Sequence, residues 1–405
     1  MVKLEEIRLL DDRILAFDRL SLLSELVIDG CGKTTYIMFS GLRQLIKLRM
    51  LHISRCEELL ASDVVQEGKQ GDMEALAPPY LRYLRIQNCR IKGTLLFEIL
   101  RHLLALEELD LEECHLTGIS LQENQSSLLN LDDALASSFS DGHLCIPCNV
   151  ISSIKRLEFD SCGDPVLSGS KDGFARFTSL DRLGVWEGPN LFSSLVHKSE
   201  NTNGRWLLPN SLVNLVLGLN SATELDEILY PSDTLQICFP GNQTRLQGLE
   251  ILAWGKYLKS LQLQSCTALE KLSIRDCEWV SKIDGLQFLG LLRHLNVSES
   301  SNILPYLEHS TMQGYKLCSQ LESLEIDTYS VLDEQLCKSL TSLKCLYFVD
   351  VQETRLTEEQ ESALQHLTSL QELHFLQCNT LGELPVGLHC LMSLMKLEVS
   401  ASLLS

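Results

Sequence analysis

Three segments carry residue types that could do chemistry. Gly30-Cys31-Gly32-Lys33-Thr34-Thr35 follows the strand-like Leu26-Val27-Ile28. A phosphate-binding loop wraps backbone N–H groups around phosphates and needs the spacing G-x-x-x-x-G-K-[ST]. Counting back from Gly32, the first glycine position is Val27, and Tyr36-Ile37-Met38-Phe39 is β-prone where a helix should begin. Nucleotide binding is therefore not expected there. Cys145-Ile146-Pro147-Cys148 is a lone C-x-x-C with His143 beside it. Zinc would want a second ligand pair, and a redox pair would want a βαβ setting. Both cysteines read as ordinary loop thiols. The acidic run Glu107-Glu108-Leu109-Asp110-Leu111-Glu112-Glu113 reads as a solvated strand face. The ten histidines form no H-E-x-x-H, and no G-x-S-x-G elbow occurs. No catalytic residue, metal or cofactor is expected, and an enzyme is not.

The elements around these segments are built from leucine. The chain has 405 residues, of which 84 are leucine, so a large core must be made mainly from one side chain. With 54 acids against 34 bases, net charge is −20. Nucleic-acid backbones and anionic membrane surfaces both select for Lys and Arg, so neither is an expected partner. No apolar run reaches the 18 or so residues that span a bilayer. Residues 1–13 lack the apolar stretch of a secretory leader. The 15 cysteines are odd in number and scattered, which suits free thiols in a reducing compartment. Sequons at Asn124, Asn242 and Asn296 then read as chance.

Self-similarity explains the leucines. Leu23-x-x-Leu26-x-Ile28-x-x-Cys31 recurs at Leu48, Leu81, Leu106, Ile154, Leu180, Leu212, Leu246, Leu269, Leu292, Leu321, Leu343, Leu370 and Leu394. A fainter copy starts at Leu4 (Leu4-Ile7-Leu9), and Leu258-Leu261-Leu263-Cys266 falls between two frames. The L-x-L core alternates apolar and polar, as a strand with one buried face does. One short strand cannot bury its own face, so successive copies must stack. The expected fold is an α/β leucine-rich-repeat solenoid. It is a curved horseshoe with a parallel β-sheet on its concave face, and irregular loops and short helices on its convex face. One repeat domain over 1–405 with about 14–15 repeats is expected, with a long insertion at about 115–153. Within that insertion, 120–149 reads as a protruding loop. Short helices are expected at Thr94–Leu104 and Thr357–Leu367. Eight cysteines (Cys31, Cys56, Cys89, Cys114, Cys162, Cys266, Cys277 and Cys378) fall in the turn slot, where a small packing residue with a weak S–H donor fits. Fourteen strands would give an inner arc on the order of 60 Å, suited to a protein partner. Both ends lack the polar caps of a closed array, so the chain is expected to be a piece of a longer protein or a shortened product.

The frame L-x-x-L-x-[IL]-x-x-C with irregular returns resembles the repeat region of plant intracellular NLR disease-resistance proteins. The similarity is sharpest, and closest to cereal members, at Leu356-Thr-Glu-Glu-Gln-Glu-Ser-Ala-Leu364-Gln-His-Leu-Thr-Ser-Leu370-Gln-Glu-Leu373. Cys378-Asn-Thr-Leu381-Gly-Glu-Leu384-Pro385 continues it. The resemblance implies a recognition and regulatory domain for defence response, in the cytoplasm or nucleus. Such a domain binds a pathogen effector or host protein and restrains an NB-ARC nucleotide-binding module. No NB-ARC or signalling domain is in this chain, so switching is not assigned to it. A ubiquitin-ligase receptor's substrate-recruiting array is the alternative, though its repeats run more uniform. An extracellular ectodomain would prefer Asn in the turn slot.

Outward strand positions map the expected contact face. Arg49, His52, Arg55, Arg82, Tyr83 and Arg85 make the early strands basic, and the fourth frame is acidic. Trp186, Trp254 and Tyr347 supply aromatic anchors, the side chains that with Arg dominate interface energetics. The partner contacts expected are Arg49, His52, Arg82, Tyr83, Arg85, Trp186, Trp254 and Tyr347. Cross-strand pairing could also neutralise the basic-to-acidic step internally, at roughly 0.2–1 kcal/mol per pair.

Overall fold

The structure is a computed structural model. It describes residues 2–5, 20–30, 42–56, 78–90, 93–122, 142–163, 166–168, 173–187, 196–199, 202–206, 208–218, 235–238, 245–252, 258–277, 280, 282–300 and 319–400. The chain divides into two compact units, Met1–Leu212 and Val213–Ser405.

In the first unit the ladder runs β1 (Val2–Glu5), β2 (Glu25–Asp29), β3 (Met50–Ser54), β4 (Tyr83–Gln87), β5 (Glu108–Glu112), β8 (Arg156–Asp160) and β10 (Arg182–Trp186). Every pair is parallel and in register. Leu26, Leu51, Leu84, Leu109, Leu157 and Leu183 form one buried column, and Ile28, Ile53, Ile86, Leu111, Phe159 and Val185 the next. A one-residue slip would turn every leucine outward, so burial locks the register.

The second unit repeats this with β13 (Asn214–Gly218), β15 (Gly248–Leu252), β17 (Lys271–Arg275), β19 (His294–Ser298), β20 (Ser323–Ile326), β21 (Cys345–Val349), β22 (Glu372–Leu376) and β23 (Lys396–Ser400). Fully burying one leucine, isoleucine, valine or phenylalanine contributes about 1.5–3 kcal/mol, so the two apolar columns dominate each unit's stability. Aromatics take over the second column late: Phe348 and Phe375 stack at 5.2 Å, and the buried Tyr329 meets Phe348 edge-on at 4.9 Å. All fourteen frames are ladder strands, and both units are leucine-rich repeats.

The returning segments are more ordered than expected. In the first unit β6 (Gly118–Leu121) pairs in parallel with β7 (His143–Ile146) and β9 (Val166–Ser168). In the second, β16 (Leu258–Gln262) pairs with β14 (Leu235–Cys238) and β18 (Lys282–Asp284). The flanks of the expected 120–149 loop are thus strand and helix, while 123–141 lies outside the described residues. Strands β11 (Val196–Ser199) and β12 (Thr202–Trp206) form an antiparallel hairpin.

Two registers need correction. Val2 pairs with Leu26 and Leu4 with Ile28, so the first frame is Val2-Lys3-Leu4 and not Leu4-Ile7-Leu9. The pairing partner decides this. The ladder passes directly from β15 to β17, so Leu258–Leu261 belongs to the side sheet and Cys266 is not a turn-slot cysteine.

The expected helices appear as α1 (Gly93–His102) and α4 (Glu358–Leu364). Two short turns, α2 (Cys148–Ser153) and α3 (Glu334–Ser339), add to them. Helix α4 starts at a capping box in which Gln360 N–H donates to Thr357 Oγ1 at 3.3 Å and Thr357 N–H to Gln360 Oε1 at 2.9 Å. Such a cap stabilises a short helix by about 1 kcal/mol.

Nine of the ladder strands run into a non-glycine residue that no frame motif announced. Arg55, Asn88, Glu113, Ser161, Glu187, Asp276, Glu299, Asp350 and Gln377 all have positive φ between 48° and 57°. This left-handed turn costs a non-glycine residue about 1–2 kcal/mol. It returns a hydrogen bond to the next repeat, such as Glu113 N–H to the Asp160 carbonyl at 2.8 Å. The following side chain then drops inward. Cys114 Sγ donates to the carbonyls of Glu112 at 3.2 Å and Ile86 at 3.3 Å, and Cys56, Cys89, Cys162, Cys277 and Cys378 sit alike. Cys31 lies outside the described residues.

Candidate interaction surface

The ladder strands alternate exposure, so three side chains per strand face outward. In the first unit these build a charge network. Arg85 pairs with Glu112 and lies 3.5 Å from Asp110 on the next strand, while Tyr83 OH donates to Asp110 at 3.3 Å. Glu158 accepts from Arg156 at 2.8 Å and from Arg182 at 2.7 Å. Arg55 grips Asp29 through two hydrogen bonds of 2.8 and 2.6 Å.

Environment decides the titration of this network. Burial pushes the Asp110 carboxyl up despite Arg85 beside it. Burial pushes Glu158 the same way, but the hydrogen bonds from Arg156 and Arg182 outweigh it and hold that carboxyl below its usual range. The paired acids keep the Arg85 guanidinium charged, against the opposing effect of its own burial. Burial, then the Arg85 charge, lowers His52.

The second unit presents a different face. The Tyr347 and His374 rings stack at 4.4 Å. His374 is buried between Glu398, 3.0 Å from Nδ1, and Glu372, 3.0 Å from Nε2. Carboxylates only accept, so both contacts are hydrogen bonds at once only when both ring nitrogens carry protons. The face is therefore an aromatic platform ringed by charge, extended by Lys396 at 3.0 Å from Glu398. At one rim of this unit an open groove of about 640 Å³ is lined by Arg293, Glu322, Lys344 and ladder hydroxyls. Glu322 holds both cations at 2.7 Å, so the groove is polar and keeps one positive charge in excess.

The expected contact residues divide by position. His52, Tyr83, Arg85, Trp186 and Tyr347 lie on strands and are partly exposed. Arg49 and Arg82 stand one residue ahead of β3 and β4, at the rim; Arg49 lies 5.2 Å over the Tyr80 ring. Arg82 and Arg85 each have acidic neighbours in the next repeat. Trp254 lies outside the described residues.

Sequence reasoning missed an acidic column at the strand ends of the second unit. Asp276, Glu299, Asp327 and Asp350 interact electrostatically there. A hydrogen bond with Asp276, and then burial, pushes the Glu299 carboxyl up to about 7. The signal was an acid one residue before the turn slot, at Asp276, Glu299 and Asp350. Among the described residues no group of His, Cys, Asp and Glu is arranged to hold a metal ion.

The cysteine pair behaves as packing. Cys145 is buried on β7, where burial raises its thiol, and Cys148 donates to the Gln122 carbonyl at 3.2 Å; the two are not bonded to each other. Burial likewise lifts Cys89 to about 11 and Cys337 to about 12, which leaves them protonated and unreactive at neutral pH. Of the glycine-lysine segment only Gly30 is described; residues 31–35 lie outside. No helix among the described residues is long and apolar enough to cross a membrane.

No family model matches the chain, and no curated protein does. Similar solved structures include an internalin from Listeria monocytogenes, 16% identical, covering 94% of this chain and 81% of that one, with a TM-score of 0.43. A leucine-rich-repeat protein from Leptospira interrogans is 15% identical and covers 96% and 93%, with a TM-score of 0.38.

Proposed function

We propose that this chain is the recognition and regulatory repeat region of a plant intracellular immune receptor of the NLR type. It binds a pathogen effector or a host protein through the outward face of its ladder strands, and it restrains the receptor's nucleotide-binding module. The observation that carries the binding role is the in-register ladder. Inward positions are given to Leu, Ile, Val and Phe, while outward positions vary between Arg, Glu, Tyr, His and Trp. A scaffold with one invariant and one variable face suits recognition of protein surfaces. The plant immune assignment is supported by the 356–385 stretch and the cysteine-bearing frame. The chain acts as one repeat domain in the cytoplasm or nucleus, takes no cofactor, and has neither nucleic acid nor membrane as partner. It performs no catalysis.

Reading the native transcript upstream of the Met1 codon tests the assignment. An in-frame NB-ARC coding region supports it. An F-box coding region replaces it with a ubiquitin-ligase receptor that recruits substrates through the same face.

A further inference from the structure

The rim that leads into the strands changes character within the first unit. In later repeats the two residues before the leading leucine are mostly Ser or Thr, and they knit repeats together. Ser179 Oγ donates to the Ser152 carbonyl at 2.8 Å and Ser211 Oγ to the Leu180 carbonyl at 2.8 Å. In the second unit Ser369 donates to the Thr341 carbonyl at 2.7 Å and Ser393 to the Thr368 carbonyl at 2.8 Å. Leu291 and Met392 are exposed single exceptions in that unit.

The first four frames with a leading leucine break the rule together. Their rim slots hold Leu22, Ile46, Tyr80 and Leu104, exposed by 75%, 53%, 54% and 72%. Four large apolar side chains on consecutive repeats make a stripe, and contiguous exposed apolar surface marks an interaction site more often than scattered residues do.

Charge selects what covers the stripe. Rim residues 20–24, 42–49, 78–82 and 101–107 include Arg43, Lys47, Arg49, Arg82 and Arg101 against one carboxylate, Glu107, which lies 4.0 Å from Arg82. In a chain of net charge −20 this is a local reversal of sign. Spacing selects its shape. Adjacent ladder strands lie about 4.8 Å apart. Apolar residues at i, i+4, i+7 and i+11 of a helix lie at about 0, 6, 10.5 and 16.5 Å along its axis, one per turn of about 5.4 Å. A helix lying along the rim therefore places roughly one apolar side chain against each repeat.

We propose that this rim docks an amphipathic helix of a protein partner whose apolar face is flanked by carboxylates. The site is separate from the outward strand face and does not depend on that reading.

The test uses the full chain and a fluorescent stapled helical peptide of about fourteen residues, with leucines at i, i+4, i+7 and i+11 and glutamates beside them. The expected result is saturable binding that weakens with added salt. The variant Leu22→Ser/Ile46→Ser/Leu104→Ser should bind at least about tenfold more weakly, a loss of 1.4 kcal/mol. A matched peptide with lysines for glutamates should be about as weak, because rim and peptide then repel. The variant keeps its fold because serine is native to this rim, which its unfolding midpoint verifies. Absent binding, binding unchanged in the serine variant, or equal binding of the lysine peptide overturns the proposal. So does self-association of the chain that the serine variant abolishes, since a second copy would then be the occupant.

Discussion

The backbone N–H of Cys277 donates to the Ser300 hydroxyl of the next repeat at 3.0 Å. The equivalent donor in the first unit, Cys56 N–H, finds the Cys89 sulfur at 3.4 Å. At Cys89 and Ser300 the turn-slot side chain thus both accepts from the repeat before it and donates to a strand carbonyl, while Tyr329 and Val351 fill the same slot as buried packing residues. Cys and Ser make both hydrogen bonds; a purely apolar residue makes neither.

Cys89→Ser should accordingly cost less than about 1.5 kcal/mol, whereas Cys89→Val should cost about 1–3 kcal/mol by stranding a buried donor. Urea unfolding of the two variants measures the difference. Equal costs would show that the slot is set by volume alone.

Core and rim leucines should separate sharply. Leu272, buried in its column, should cost about 2–5 kcal/mol when changed to Ala. Leu104, mostly exposed, should change stability by about 0.5 kcal/mol or less. Thermal and denaturant midpoints of the two variants check this.

Most of that architecture was legible in the leucines, because a period of two on a buried face admits one register. What stayed hidden depends on partners distant in sequence. Nothing local shows that Leu258–Leu261 pairs with β14 and β18, or that Glu113 turns left-handed to reach the Asp160 carbonyl. The candidate face was legible as residue types but not as pairs. Arg85 reads as a candidate partner contact on a basic strand beside an acidic one, and the structure pairs it across to Asp110 and Glu112, which lie 25 and 27 positions on. The rim stripe escaped because Leu22 and Leu104 are lost in a chain with 84 leucines.

Stability should respond to pH through Glu299. Its carboxyl titrates near 7 in the folded chain, above the ordinary value of 4.5. The folded state thus binds the proton more tightly, and stability contributed by this group rises as pH falls from about 7 towards 4.5. Wild type minus Glu299→Gln, compared by denaturant midpoint across that window, isolates it. The difference should favour the variant at neutral pH and shrink on acidification. A pH-independent difference would contradict the carboxylate column.

Thiol labelling should rank the described cysteines by burial. Cys390 is exposed and should react first with maleimide, while Cys56, Cys114, Cys162 and Cys277 should stay protected until the chain unfolds. Peptide mass spectrometry after graded labelling reads the order.

Binding of a protein partner on the outward strand face is open to photo-crosslinking. A photo-crosslinking residue placed at Tyr347, and separately at Glu359 on α4, tests it most directly in plant tissue challenged with a pathogen. Occupation of the strand face gives a discrete protein adduct from position 347 that position 359 does not give. Adducts from 359 alone, or identical adducts from both positions, would contradict it.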